Sequence, residues 1–134
     1  MFGKNFTIER EFYRSFGGFM KLIVAGSRDF KDYNKLQTEL DLFLDGIKEI
    51  EIVCGLARGA DTLGEKYAKK HGIKIKYFPA QWDLYGKSAG YIRNTLMANY
   101  GTHLIAFWDG QSRGTKHMID LANKNNLEVV VIKY

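Results

Sequence analysis

The chain has 134 residues, of which 46% are hydrophobic, and its formal net charge is +5. This length is enough for one compact domain and too short for two. A single cysteine, Cys54, excludes an internal disulfide, and with only three histidines we expect no metal centre and no required cofactor. The longest apolar runs are too short to cross a bilayer, so we expect a cytoplasmic protein that makes no membrane contact.

Residues 1–20 differ from the rest of the chain. They contain five phenylalanines and one tyrosine, and they directly precede the first predicted strand. We therefore divide the chain into an N-terminal aromatic-rich extension, residues 1–20, and a single domain, residues 21–134. Exposed aromatic side chains need cover, which a neighbouring subunit can provide.

Strands and helices alternate along the domain. Short apolar runs predict five strands, at about residues 21–25, 49–54, 73–78, 103–107 and 128–132. Apolar residues at spacings of three and four predict four helices, at about residues 33–44, 60–71, 89–100 and 113–124. Such alternation is typical of right-handed βαβ units. We predict an α/β, Rossmann-like fold of three layers with a central parallel five-stranded sheet.

The unusual residues follow the predicted strands and do not precede them. The segments GSRDF (26–30), CGLARGAD (54–61), FPAQWDLYGKSAGYIRN (78–94) and FWDGQSRGT (107–115) follow strands one to four, whereas the opposite turns are plain. Ligands of doubly wound sheets bind outside the carboxyl ends of the strands. These segments therefore predict a binding site at that edge of the sheet.

Four arginines lie in or just after these segments: Arg28, Arg58, Arg93 and Arg113. The planar guanidinium group suits phosphate or carboxylate in bidentate geometry. The lysines, in contrast, are spread along the chain like ordinary solvated charge. The arginines therefore favour an anionic ligand.

The fourth segment has the features of a phosphate-binding loop. Gly110 and Gly114 let the backbone turn sharply and approach a ligand, and the amides that open the next helix attract an anion. Ser112 and Thr115 can hold phosphate oxygens, or Ser112 can act only as the helix cap. Asp109 can contact a ligand, or it can be a simple turn residue.

The second segment repeats this pattern, because Gly55 and Gly59 flank a turn into a helix. Asp61 can accept a hydrogen bond from a ribose hydroxyl, hold a neighbouring guanidinium or complement the helix dipole. We expect Cys54 to be a small buried hydrophobic residue and not a catalytic thiol. We expect structural roles for His103 and His117. The flanking aromatic side chains can stack on a base, or else close the core's rim or a subunit contact: Trp82, Tyr85, Tyr91 and Trp108.

Four strings in this order resemble the YspA-type, YpsA-related branch of the SLOG superfamily: KLIVAGSRDF, GLARGADTLGEKYA, FPAQWDLYGKSAGYIRN and AFWDGQSRGTKHMIDLA. The resemblance covers about residues 20–133. The superfamily also contains the LOG phosphoribohydrolases and the DNA-processing protein DprA. The resemblance implies a Rossmann-like fold with a pocket for a nucleotide or nucleotide-derived ligand. Because related proteins in the superfamily are often dimers, it also implies a homo-oligomer.

The resemblance also implies which residues bind the ligand. Arg113 and Asp109 are further candidates from the residues themselves. The residues that match the family's loops are Gly26, Ser27 and Arg28 in the first, Gly55, Arg58, Gly59 and Asp61 in the second, Arg93 and Asn94 in the third, and Gly110, Ser112, Gly114 and Thr115 in the phosphate loop.

The chain departs from the family's patterns at two positions. Leu56 stands where the family often has a second glycine. Met118 stands where LOG enzymes carry the glutamate that serves cleavage of the N-glycosidic bond. Arg93 matches the LOG-type arginine and is a catalytic candidate, as are Asp61 and Asp109. The carboxylates that can replace the missing glutamate are Asp61, Asp109 and Asp120.

Three functions follow as hypotheses. The first is binding or sensing of a nucleotide-derived ligand, such as AMP, ADP-ribose or an NAD-like molecule. The alternative is a nucleotide phosphoribohydrolase-like enzyme that cleaves an N-glycosidic bond. The second alternative, favoured by net charge and aromatic content, is DprA-like binding of single-stranded DNA. Because one scaffold of this kind hosts many functions, the fold alone does not choose among them.

Overall fold

Five parallel strands form one sheet in the computed structural model, which describes residues 18–134. They are β1 (Phe19–Gly26), β2 (Glu49–Cys54), β3 (Lys74–Tyr77), β4 (His103–Trp108) and β5 (Glu128–Lys133), in the order β3-β2-β1-β4-β5. The predicted Rossmann-like α/β fold is confirmed. The predicted extension at residues 1–20 falls almost wholly outside the described residues, so it stays a prediction.

The helices lie close to their predicted positions. They are α1 (Tyr33–Leu44), α2 (Ala60–Lys70), α3 (Trp82–Tyr85), α4 (Ala89–Tyr100) and α5 (Arg113–Lys124), with a 3₁₀ turn at Gly86–Ser88. Helix α3 was not predicted, because four residues are too few to show a helical period. Strand β1 starts two residues earlier than predicted, and Met20 within it is fully buried.

The helices cover both faces of the sheet. Alternate residues of a strand point to opposite faces. Leu22 and Val24 of β1 therefore pack in the core that contains the buried residues of α1 and α2. Ile23 and Ala25 pack in the second core, which contains the buried residues of α4 and α5. The molecule thus has the three layers that the alternating pattern predicts.

Helix α2 lies unusually close to the sheet. A Cβ atom at Gly64 would be 2.9 Å from the side chain of Val24. The absence of a side chain at this position therefore allows the helix to pack close to the sheet. The close approach fixes where the first turn of α2 stands relative to the end of β1.

The strand order reverses between β1 and β4. The chain runs from β1 to β2 and β3 in one direction and then returns to place β4 on the other side of β1. The loops after β1 and β4 therefore diverge, which opens a crevice at the carboxyl ends of the strands. Gly26 and Phe107 pair in register at this point. Within residues 18–134, none of the helices has both the length and the apolar character that crossing a membrane requires.

Candidate functional site

A cleft of about 930 Å³ opens at the carboxyl ends of the strands. The segments that follow β1, β2, β3 and β4 all contribute to its walls. All of the predicted ligand-binding residues line this cleft except Gly59 and Gly110. The structure therefore brings the predicted residues together at the predicted edge of the sheet.

The loop after β1 is fixed by tight backbone packing. A Cβ atom at Gly26 would be 2.4 Å from the carbonyl oxygen of Phe107, so only glycine fits there. Ser27 is buried, and its hydroxyl accepts a hydrogen bond from the backbone N–H of Asp109 at 3.2 Å. Ser27 thus joins two loops of the cleft, while Arg28 is exposed at the cleft wall.

The loop after β2 contains two residues with positive φ. Gly59 has φ +83°, and a Cβ atom there would be 2.2 Å from the carbonyl oxygen of Ser27. Gly59 therefore allows the first two loops to touch, although it does not line the cleft. Leu56 has φ +60°, the left-handed conformation that normally favours glycine. This conformation gives a physical reason for the glycine that the family often has here.

Asp61 lies buried at the start of α2, with 5% of its surface exposed. Its carboxylate lies beside Gly55, since a Cβ atom at Gly55 would be 3.0 Å from Asp61 Oδ2. Burial raises the pKa of Asp61 to about 7, and the positive charge of Arg93 and the nearby backbone amides oppose that rise. Of the three predicted roles, the geometry displays two: Asp61 lies in the first turn of α2, where its charge complements the helix dipole, and the guanidinium of Arg93 lies near it.

Arg93 connects helix α4 to the loop after β2. Its Nη1 donates a hydrogen bond to the backbone carbonyl of Gly55, and its Nε donates to the side-chain oxygen of Asn94 at 3.0 Å. The amide nitrogen of Asn94 in turn contacts the ring nitrogen of His117 on α5 at 3.2 Å. Arg93 and Asn94 thus link three elements at the base of the cleft.

We expect Asp61→Asn to change the pH dependence of stability. Because the pKa of Asp61 in the folded state exceeds its ordinary value of 3.8, the folded protein holds a proton that the unfolded chain releases. This stabilisation is complete below the ordinary pKa and is lost as the pH rises through about 7. Urea unfolding at pH 5 and pH 8 measures it. From pH 5 to pH 8, the free energy of unfolding of the variant should rise by about 2 kcal/mol relative to that of the wild type. A difference between the two proteins that does not change with pH contradicts the raised pKa of Asp61.

The loop after β4 is a turn held by its own side chains. Asp109 Oδ1 accepts hydrogen bonds from the backbone N–H groups of Gln111 and Ser112, both at 2.8 Å, and these bonds lower the pKa of Asp109. The hydroxyl of Ser112 accepts from the backbone N–H of Thr115 at 3.3 Å and caps α5. Trp108 Nε1 donates to the carbonyl of Ser112 at 3.1 Å. Asp109 therefore acts as a turn residue and Ser112 as a helix cap, which are the simpler of the two roles predicted for each.

The first turn of α5 faces the cleft. Arg113 and Gly114 open this helix and line the cleft wall, and a Cβ atom at Gly114 would meet nothing within 4 Å. Gly110 lies outside the lining but has φ +85°, so its contribution is to the turn. Because the first amides of a helix have no partner within the helix, this end of α5 can bind an anion.

The segment between β3 and α4, together with the first turn of α4, forms a wall of the cleft that the sequence only partly predicted. Trp82 and Tyr91 line the cleft and are each about half-exposed, whereas Tyr85 and Trp108 do not line it. Lys87 also lines the cleft and was not predicted. Its position after the short helix α3 carries no sequence signal that separates it from other surface lysines.

The remaining candidate side chains have structural surroundings. Burial raises the pKa of the Cys54 thiol to about 11, and the thiol contacts the backbone carbonyl of Asp61. His117 packs edge-on against Tyr91, and burial lowers its pKa. His103 is buried in β4. Across residues 18–134, His, Cys, Asp and Glu side chains form no group of three able to hold a metal ion.

Met118 lies at the position where LOG enzymes carry a glutamate. It is 1% exposed and lines the cleft from α5. A side chain at this position therefore reaches the cleft, but here it is a thioether that cannot transfer a proton. The carboxylates that do line the cleft are Asp29, Asp61 and Asp109.

Comparisons with known proteins identify related chains. The model of the YspA, cpYpsA-related SLOG family matches residues 20–85. The Gene 61 protein of Mycobacterium phage D29 is 32% identical over 120 residues, which cover 82% of this chain and 94% of that protein.

A solved structure has the same fold. DNA processing protein A (DprA) from Streptococcus pneumoniae superposes with a TM-score of 0.70 at 22% sequence identity. The match covers 87% of this chain and 51% of that chain, so this chain spans about half the length of DprA. At this identity the likeness shows the fold alone.

Proposed function

Because the chain belongs to the YspA, cpYpsA-related SLOG family, we propose that its cleft binds a nucleotide or nucleotide-derived ligand. The observation that carries the proposal is the convergence of cationic side chains, a helix N-terminus and an aromatic wall on one cleft. The cationic side chains come from each of the four segments that follow β1 to β4: Arg28, Arg58, Lys87, Arg93 and Arg113.

The phosphate group is assigned to the start of α5. The amides of Arg113 and Gly114 and the positive end of the helix dipole favour an anion there. The guanidinium of Arg113 adds a charged donor. Gly114 carries no side chain, and nothing lies within 4 Å of where a Cβ atom would stand, so an anion can approach the backbone.

The base is assigned to the wall formed by Trp82 and Tyr91. Both rings are about half-exposed and line the cleft. An exposed aromatic ring in a binding cleft gains free energy when a flat base stacks on it. The cleft volume of about 930 Å³ is large enough for a ligand such as ADP-ribose as well as for AMP.

A thermal-shift titration with AMP, ADP-ribose, NAD and a short single-stranded DNA tests the proposal. A ligand at about 100 times its dissociation constant adds roughly 2.7 kcal/mol to the stability. We expect Arg113→Ala to weaken binding about tenfold through the loss of one charged hydrogen bond. Lys124→Ala, a change of charge at the opposite end of α5, is the matched control and should leave binding unchanged. Equal effects of the two variants contradict the phosphate assignment.

Cleavage of an N-glycosidic bond is the second candidate function. It is favoured by Asp61, a carboxyl group at the cleft with a pKa of about 7, which suits proton transfer near neutral pH. Met118 argues against it, because a thioether stands where LOG enzymes carry a glutamate, and a thioether cannot act as an acid or base. Chromatography of each incubated sample decides between binding and cleavage. If the wild type releases free base and Asp61→Asn does not, the protein is an enzyme. If the ligand stays intact with the wild type, the protein only binds it.

Binding of single-stranded DNA is the remaining outcome of the same titration. A shift with DNA but with no nucleotide, and an affinity that falls steeply with salt, would replace the proposed ligand. The cytoplasmic location and the homo-oligomer also stand as proposals. Light scattering of the full chain in solution tests the second of them.

A further inference from the structure

The loop after β1 holds a carboxylate in place through a series of packed rings. Phe30 is 2% exposed, and its ring stacks on that of Phe107 with 4.8 Å between the ring centroids. The ring of Tyr134, which follows β5, packs edge-on against Phe30 at 4.9 Å. The hydroxyl of Tyr134 donates a hydrogen bond to Oδ1 of Asp29 at 2.6 Å. The core of the molecule therefore fixes the position of the Asp29 side chain.

Asp29 differs from the other two carboxylates that line the cleft. Asp61 is buried, and Asp109 Oδ1 accepts hydrogen bonds from the backbone of its own loop. Asp29 is exposed, and its hydrogen bond with Tyr134 uses Oδ1 and leaves Oδ2 to accept another. None of the ion pairs among residues 18–134 includes Asp29. Asp29 therefore offers a hydrogen-bond acceptor to a ligand in the cleft.

A free carboxylate does not help a cleft to bind phosphate. Its charge repels an anion, and an ionised carboxylate accepts hydrogen bonds but donates none. The other charged side chains of the cleft wall are mainly cationic, and Arg28 directly precedes Asp29. The ligand group that lies next to Asp29 must therefore be a hydrogen-bond donor. A nucleotide has such donors in the hydroxyl groups of its sugar and in the amino groups of its base.

The topology places Asp29 on the opposite side of the cleft from the assigned phosphate and base. The loop that contains Asp29 leads into α1, whose buried residues pack on one face of the sheet. The phosphate is assigned to Arg113 and Gly114 of α5, and Tyr91 of the base wall belongs to α4. Both of these helices pack on the other face. Because the sugar joins the phosphate to the base, its hydroxyl groups are the donors that remain to face Asp29.

We propose that Asp29 recognises the sugar of the ligand by accepting a hydrogen bond from a ribose hydroxyl, and that Tyr134 is the positioning residue that holds its carboxylate. The inference rests on the proposed function and adds a sugar specificity to it. A nucleotide without sugar hydroxyls leaves the charge of Asp29 in the cleft with no donor, which costs binding free energy. The cleft therefore selects ribonucleotides over nucleotides that lack these hydroxyls.

Isothermal titration calorimetry with AMP and 2′,3′-dideoxy-AMP tests this recognition. The two nucleotides share the phosphate and the base and differ only in the sugar hydroxyls. We expect the wild type to bind AMP about tenfold more tightly and Asp29→Ala to bind both nucleotides equally. The ratio of the two affinities is the readout, because loss of the Asp29 charge also strengthens the attraction of phosphate. Glu49→Ala removes an exposed carboxylate at the start of β2, at the opposite edge of the sheet, and should keep the wild-type ratio.

Tyr134→Phe tests the positioning role. The variant keeps the ring that packs on Phe30 and removes the hydroxyl that binds Asp29. We expect its ratio of affinities to lie between those of the wild type and Asp29→Ala. Thermal unfolding confirms that each variant is folded. A wild-type ratio in Tyr134→Phe would show that Tyr134 does not position Asp29.

The outcomes separate this inference from the proposed function. If the wild type binds AMP and 2′,3′-dideoxy-AMP equally, or if Asp29→Ala keeps the wild-type ratio, sugar recognition by Asp29 is overturned and the proposed function stands. If AMP does not bind but ADP-ribose or NAD does, recognition of the AMP sugar is overturned, and the cleft still binds a nucleotide-derived ligand. If none of the three binds, the proposed function fails and the inference fails with it.

Discussion

Replacement of Gly59 by alanine is expected to destabilise the folded protein by about 3 kcal/mol or more. Gly59 has φ +83° and ψ −129°, a region that residues with a Cβ atom rarely adopt. The added Cβ atom would also lie 2.2 Å from the carbonyl oxygen of Ser27. Strain and overlap therefore act together, and urea unfolding monitored by circular dichroism measures their sum.

Two other glycines separate these causes. Gly72 has φ +66° with nothing within 4 Å of its Cβ position, so Gly72→Ala should cost about 1 kcal/mol from strain alone. Gly114 has an open Cβ position and is not among the positive-φ glycines, so Gly114→Ala should cost less still. If Gly59→Ala costs no more than Gly72→Ala, contact between the first two loops is not what requires glycine.

Arg93→Ala is expected to weaken ADP-ribose binding at least about 100-fold, or about 2.7 kcal/mol. The variant loses a charged donor at the cleft and also the link from α4 to Gly55 and Asn94. It leaves the buried Asp61 without its neighbouring positive charge. Isothermal titration calorimetry at pH 7, with thermal unfolding to confirm that the variant is folded, measures the change.

Arg93→Lys serves as the conservative comparison. Lysine keeps the charge but not the planar fork that lets one side chain reach Gly55, Asn94 and the cleft together. We expect binding intermediate between that of the wild type and that of Arg93→Ala. If the affinity of Arg93→Ala for ADP-ribose lies within twofold of that of the wild type, Arg93 does not contribute to the binding site.

Much of the fold could be predicted from the sequence, because strands and helices of this type carry strong periodic signals. The four long helices and the five strands were placed correctly to within a few residues. The edge that contains the cleft could also be predicted, since unusual residues follow the strands and parallel strands end together. Helix α3 and Lys87 could not, because a four-residue helix has no period and an isolated surface lysine has no pattern.

The roles of individual polar residues were harder to predict than their location. Asp109, Ser112 and Asp61 all lie at the cleft, but Asp109 and Ser112 make hydrogen bonds within their own loop, and Asp61 is buried in the first turn of its helix. A sequence shows that such a side chain can bind a ligand or cap a turn, and both uses favour the same residue types. Only the distances between atoms distinguish them. Leu56 illustrates the reverse case, since its departure from a glycine pattern marked a backbone with positive φ.

Nuclear magnetic resonance of the backbone amides during titration with ADP-ribose tests the central claim most directly. The claim predicts saturable shifts at Arg28, Arg113 and Gly114, which line the cleft, and none at Lys124, at the far end of α5. Amides that do not move at any ADP-ribose concentration, or that move only on surfaces away from the cleft, would contradict it.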